Sequence, residues 1–172
     1  MDKLDIVTDE SGNEVVLLPE IIFSNKQNIN WNDVEDYLGK YVGELIEIAE
    51  TRDIIYIGNK FPDEYGGSSY TRKTKGARAK AKANAAQGIR EMVEIATDKV
   101  YRENHKEKHS EDAHNGWFYY VTRFAIPLYN NEKKTGEYNV YSACLVVNHA
   151  ADGKSASGGE SQTADIKIEA ED

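Results

Sequence analysis

The sequence predicts an α+β fold, a central antiparallel β-sheet meander packed against helices, with a small N-terminal helix-and-hairpin subdomain. Three observations predict it. Residues 117–149 form two long arms dense in aromatic and β-branched residues, the types that suit a pleated, half-buried surface. Residues 72–87 are rich in Ala, Lys and Arg, which are strong helix formers. Val34, Tyr37, Leu38, Tyr41 and Val42 recur at three and four positions, which is one face of a helix.

The two arms come first because the rest of the chain must cover them. One runs from Trp117 to Tyr129 and the other from Tyr138 to His149. The polar stretch between them, Asn130 to Gly136, reads as a hairpin loop with Gly136 at the positive-φ position. Pro127 has no N–H to give a ladder, so it implies an edge position or a break there.

The other elements follow in chain order. Glu14–Leu18 comes after the turn-like Ser11-Gly12-Asn13 and is ended by Pro19, a short strand. Asn30 or Asn32 can cap the next helix, with Asp33, Glu35 and Asp36 near its positive end, and Gly43 closes it. Residues 44–49 and 54–57 read as a small hairpin joined by Glu50-Thr51-Arg52-Asp53. Residues 61–70 read as a surface loop anchored by Phe61 and Tyr65. In the 72–87 helix, Ala77, Ala81 and Ala85 line one face and let it lie close to a sheet, and Gly88 reads as its stop. Residues 89–96 suit either a helix end or a strand start. Residues 99–116 are polar and hold His105, His109 and His114. After the turn signal Asp152-Gly153, residues 155–162 have linker composition, and 164–169 alternate as a short strand would. The expected organisation is an acidic helix-plus-hairpin region over 1–70, then a basic helix and sheet over 71–172, forming one compact unit.

A length of 172 residues fits one domain. No apolar run approaches the ~18 residues of a membrane span, and the first residues show no signal-peptide pattern. The single Cys144 lies in an expected strand, where a buried inert thiol is expected and no internal disulfide can form. These features point to a cytoplasmic protein. The net charge of −9 is uneven. Residues 1–70 hold 5 basic and 15 acidic side chains, net −10. Residues 71–108 hold 11 and 5, net +6, and residues 109–172 hold 5 and 10, net −5. A basic island between acidic flanks can mark a nucleic-acid contact or an acidic partner, or simply a solvated helix face.

No phosphate loop, dinucleotide fingerprint, zincin helix or CxxC pair is present. His105 and His109 would share a helical face, but Lys106 and Lys108 would repel a metal ion there. No metal and no cofactor are expected. Metal-free RNA cleavage needs a base, a proton donor and a cation for the phosphate. The 102–123 stretch holds suitable types: His105, His109, His114, Tyr119 and Tyr120, with Arg102 and Arg123. Arg123 stands in an otherwise aromatic strand, where a charge needs a partner or a ligand; its plainer reading is an outward-facing side chain or an ion pair with a neighbouring strand. Arg72, Lys73, Lys75, Arg78, Lys80 and Lys82 are the candidate nucleic-acid contacts on the basic helix.

From Gln87 to Lys154 the chain resembles one of the large polyvalent protein-associated domains of phages and conjugative elements. The resemblance rests on Ile89-Arg90-Glu91-Met92-Val93-Glu94-Ile95-Ala96, on Thr122-Arg123-Phe124-Ala125-Ile126-Pro127, and on the run from Tyr138 to Val147 followed by Asp152-Gly153-Lys154. That family is similar to the barnase–EndoU–colicin–RelE nuclease fold, helices followed by a meandering four-stranded sheet. The resemblance implies possible ribonuclease-like activity, with His109, His114 and Arg123 as the polar groups entering the sheet. The family has an aromatic-rich strand directly after the Asp-Gly-Lys turn, whereas residues 155–162 here are linker-like. The expected function is a mobile-element accessory protein on a nuclease-like scaffold, an anti-defence (anti-CRISPR-like) inhibitor that binds a host defence nuclease or its RNA. The alternatives are a metal-independent endoribonuclease and a non-catalytic interaction module. The acidic balance favours binding over catalysis, since most RNA-binding proteins are basic and a fold does not fix a function.

Overall fold

The computed structural model describes residues 3–24, 28–67, 76–102, 117–148 and 164–169. The strands are β1 (Ile6–Thr8), β2 (Glu14–Leu17), β3 (Leu45–Glu47), β4 (Ile54–Tyr56), β5 (Thr97–Arg102), β6 (Trp117–Asn130), β7 (Lys133–Asn148) and β8 (Ala164–Glu169). The helices are α1 (Trp31–Leu38), α2 (Phe61–Gly67), α3 (Gly76–Ala85) and α4 (Ile89–Glu94). The fold is α+β, a curled and mostly antiparallel sheet with helices packed against it.

Strand β6 is the spine of the sheet, whose order is β1-β2-β6-β7-β8 with β5 also on β6. Strand β7 pairs along one edge of β6, from Trp117↔Asn148 to Asn130↔Lys133. The other edge is shared. β5 runs antiparallel beside Trp117–Val121, and β2 runs parallel beside Phe124 and Ala125. The sheet is thus mostly antiparallel, as expected, but it has six strands and one parallel pair where the nuclease fold implied by the resemblance has a four-stranded meander. The short β5 leaves half of that edge open, and the β1–β2 hairpin fills it.

The two-residue turn between β6 and β7 is tighter than the loop expected from the sequence. Asn131 and Glu132 carry the positive φ values of 50° and 68° that match the twist of the flanking strands. Gly136, with φ of 90°, falls inside β7 instead. The ladder slips between Pro127 and Tyr129, consistent with the missing N–H of Pro127.

Alternation along the strands sends Tyr120, Phe124 and Ile126 toward the helices together with Tyr141, Ala143, Leu145 and Val147. Phe124 and Tyr141 stack with centroids 5.5 Å apart. The same core cluster holds Val16, Leu18, Trp31, Val34, Leu38, Ile46, Ile48, Ile55 and Ile57, so residues on both sides of position 70 share one core. Strands β3 and β4 form a separate two-stranded sheet.

Several local expectations change. Asn30 is the cap of α1, accepting from the amides of Asn32 and Asp33. Residues 61–67 are helix α2 rather than loop, with Phe61 and Tyr65 buried; Pro62 is tolerated in a first turn, and Asp63 and Glu64 favour that end. Gly88 does not stop the chain's helical course, which passes through a 3-10 turn at Ala86–Gly88 into α4. It is glycine for packing: a Cβ there would lie 3.1 Å from Leu18 and 3.3 Å from Leu4 and Val16. Ala77 is exposed, whereas Ala79, Ala81, Ala83 and Ala85 are buried. Strand β5 begins at Thr97 and runs into the segment read as polar; from Asp98 onward its side chains are exposed, so no apolar alternation announced it.

Candidate nucleic-acid interface

Strict alternation along β6 places Trp117, Tyr119, Val121 and Arg123 on the sheet face opposite the helices. Strand β5 adds Arg102 opposite Trp117 and Val100 opposite Tyr119. Strand β7 adds Ser142 opposite Arg123 and Cys144 opposite Val121. The Arg102 guanidinium lies over the Tyr119 ring, 5.4 Å from its centre. Arg123 sits four residues further along, roughly 13 Å away at a strand's rise. The result is a strip of cation, ring, aliphatic residue and cation.

Neither arginine makes an ion pair among the described residues. Asp9, in the β1–β2 turn, acts on Arg123 only through space. Its carboxyl is held below the ordinary range chiefly by the Asn13 amide, against weak desolvation, then by the Ser11 amide, with a smaller part from the Arg123 charge. At the far edge of the sheet, β8 sets Glu169, Lys167 and Asp165 in register with Ser142, Cys144 and Val146. The strip also adjoins exposed apolar side chains on the same face, Val7, Val100, Tyr138 and Val140, each at least 37% exposed.

This arrangement suits a single-stranded nucleic acid. Ring faces take stacked bases without regard to sequence, and guanidinium groups take phosphates through paired, charge-assisted hydrogen bonds.

The expected site residues are placed as follows. Arg123 is half-buried on the outer face of β6. Arg78 and Lys80 are exposed on α3. Lys82 is not part of that surface; it is 1% exposed, with its ammonium 4.6 Å from the centre of the Tyr65 ring. The reason is that α3 buries a broad stripe, and the aliphatic stem of Lys82 packs within it. His109, His114, Arg72, Lys73 and Lys75 lie outside the described residues, as do His105 and the linker-like 155–162. Among the described residues no three His, Cys, Asp or Glu side chains are grouped to hold a metal ion. What the sequence reading missed is the pairing of Arg102 with Trp117, because β5 itself was missed; Val100 and Tyr101 were its only strand signal.

A second polar cluster lies on the core side. Asp53 Oδ2 accepts from Tyr120 at 2.6 Å, from Thr51 at 2.7 Å and from Lys99 at 2.8 Å. The Lys99 ammonium also lies 4.2 Å from the centre of the Phe118 ring. Burial would raise the Asp53 pKa, but the hydrogen bonds from Lys99, Tyr120 and Thr51 outweigh it and hold the carboxyl below its ordinary range. These bonds fasten the β3–β4 hairpin to the main sheet.

No family model, no curated protein and no solved structure matches the chain.

Proposed function

We propose that this protein is a mobile-element accessory protein that uses a nuclease-like scaffold for binding, as an anti-defence inhibitor that engages a host nuclease through its nucleic acid. The observation that carries the reading is Arg102 stacked over Tyr119, with Arg123 on the same sheet face and no ion pair for either arginine among the described residues. Exposed Arg78 and Lys80 on α3 offer a second cationic contact on the helix layer. The net charge of −10 over residues 1–70 suits the basic surface that a nucleic-acid-handling enzyme presents.

A metal-independent ribonuclease is the second reading, and Arg123 favours it too: a half-buried cation on an aromatic strand can hold a scissile phosphate. One experiment separates them. Tagged protein is used to capture partners from a bacterial lysate that contains defence nucleases, and both protein and RNA are read. Recovery of a stoichiometric nuclease whose cleavage is suppressed supports inhibition. Shortened RNA with no protein partner, lost on His114→Ala or Arg123→Ala, favours the ribonuclease instead.

A further inference from the structure

We infer that the β3–β4 turn sets the register of β5, with Glu50 and Asp53 as positioning residues that keep Arg102 on the outer face of the sheet. The inference deepens the reading of the Arg102, Tyr119 and Arg123 strip as a nucleic-acid contact, and it rests on that reading.

Strand β5 is an edge strand that pairs, among the described residues, with β6 alone. Every residue from Asp98 to Arg102 is exposed. Burial of one face ordinarily fixes a strand's register, and in β5 it does not choose. The ladder is also interrupted. Thr97 pairs with Val121 and Val100 with Tyr119, so β5 carries one extra residue between them. Asp98 lies in that bulge with φ of 59°, a left-handed conformation that a residue other than glycine holds when its surroundings impose it. A slip of one residue beyond the bulge would carry Arg102 to the helix side and bring Tyr101 to the outer face.

The turn supplies what the strand lacks. The Asp98 amide donates to Glu50 Oε1 at 3.1 Å, and the Lys99 ammonium donates to Asp53 Oδ2 at 2.8 Å. These contacts hold the two residues of the bulge. The turn is itself a fixed reference. The Arg52 amide donates to the Ile48 carbonyl, and the Ile48 amide to the Asp53 carbonyl, each at 2.8 Å. Ile46, Ile48, Ile55 and Ile57 on its two sides are buried in the core. The Ala49 amide donates to the Glu94 carbonyl at 2.9 Å, at the end of α4 and just before β5. With Asp98 and Lys99 held, Val100, Tyr101 and Arg102 fall opposite Tyr119, Phe118 and Trp117. Tyr101 then packs on Phe118 with ring centres 5.3 Å apart, and Arg102 lies over Tyr119.

The test is filter binding of single-stranded polyuridylate across a salt series, with circular dichroism to verify folding. Asp53→Asn and Glu50→Ala each remove a negative charge, and charge alone would tighten RNA binding. Loss of register has the opposite sign. Each variant is expected to weaken binding roughly threefold to tenfold and to lower the salt slope toward that of Arg102→Ala. Adding Arg102→Ala to either variant should cost little more, because both losses pass through the same side chain. Glu50 is exposed, so Glu50→Ala carries the test even where Asp53→Asn fails to fold. Unchanged or tighter binding by the folded variants overturns the inference, as does a loss that adds fully to that of Arg102→Ala. If Arg102→Ala itself leaves binding unchanged, the reading of the strip fails and takes this inference with it.

Discussion

The Tyr120 hydroxyl donates to Asp53 Oδ2 across 2.6 Å, joining the β3–β4 turn to the central strand. Tyr120 is almost fully buried, and the Asp53 side chain, at the rim, is 25% exposed. Lys99 and Thr51 share the same oxygen, so one carboxylate gathers groups from the hairpin turn, from β5 and from β6.

Tyr120→Phe removes that bond while keeping the ring in place. It is expected to destabilise the fold by about 1.5–3 kcal/mol, the range for a hydrogen bond to a charged group. Urea denaturation at neutral pH measures it. A double-mutant cycle with Asp53→Asn should show coupling between the two sites; additive losses would mean that the bond contributes nothing.

The same carboxylate sets an acid limb. The folded-state pKa of Asp53 is depressed, so the native state holds its proton less tightly than the unfolded chain does. The stability this contributes is present above the unfolded value of about 3.9 and is lost as the pH falls through the lower folded value. Tyr120 has the opposite sign. Burial first, then its bond to Asp53, raises its pKa. Its contribution is full below about pH 10 and is lost as the pH rises through the folded value. Asp53→Asn should flatten the acid limb in a pH series of denaturation midpoints, and Tyr120→Phe should flatten the alkaline one.

Asn84 is a buried clamp between α3 and the segment after β2. Its Oδ1 accepts from the amides of Ile22 and Phe23, and its Nδ2 donates to the carbonyls of Phe23 and Lys80. Asn84→Asp replaces two donors with an acceptor facing two carbonyls. It is expected to cost at least about 2 kcal/mol, with partial recovery at acid pH as the new carboxyl protonates. Thermal melts at two pH values check both parts.

Gly88→Ala should also destabilise, by about 1 kcal/mol. The added methyl group meets Leu18, Leu4 and Val16 together, and Leu18 and Val16 are fully buried. A stabilised variant would show that β2 can move away from the turn.

On the outer face, Arg102→Ala and Arg123→Ala are each expected to weaken RNA retention. Each should reduce the slope of log affinity against log salt by roughly one phosphate contact. Filter binding across a salt series reads this. An unchanged slope in both variants would remove the strip as a phosphate contact.

Local patterns made much of this fold legible. The aromatic and β-branched arms could only be strands, because a helical period is absent from Trp117–Tyr129 and Tyr138–Val147. The face of α1, its Asn30 cap and the positive φ of Gly43 are written in the run from Asn30 to Gly43. The candidate site was legible only in part. Arg102, Tyr119 and Arg123 stood out as candidate side chains, but their placement did not, because Arg102 belongs to an edge strand whose exposed side chains carry no burial pattern. Lys82 misled for the converse reason: composition reports a charge and not the side of the helix that is covered.

The sequence by itself determined the identity of most elements, since helix caps, glycine turns and side-chain period act over a few neighbouring residues. Only the tertiary structure decided the parallel pairing of β2 with β6, the convergence of Thr51, Lys99 and Tyr120 on Asp53, and the placing of Arg102 over Tyr119. Each of these joins groups distant in the chain or on separate strands. Such contacts depend on which edge of a strand is left open and which face is covered, and both are settled by competition among all the elements for one core.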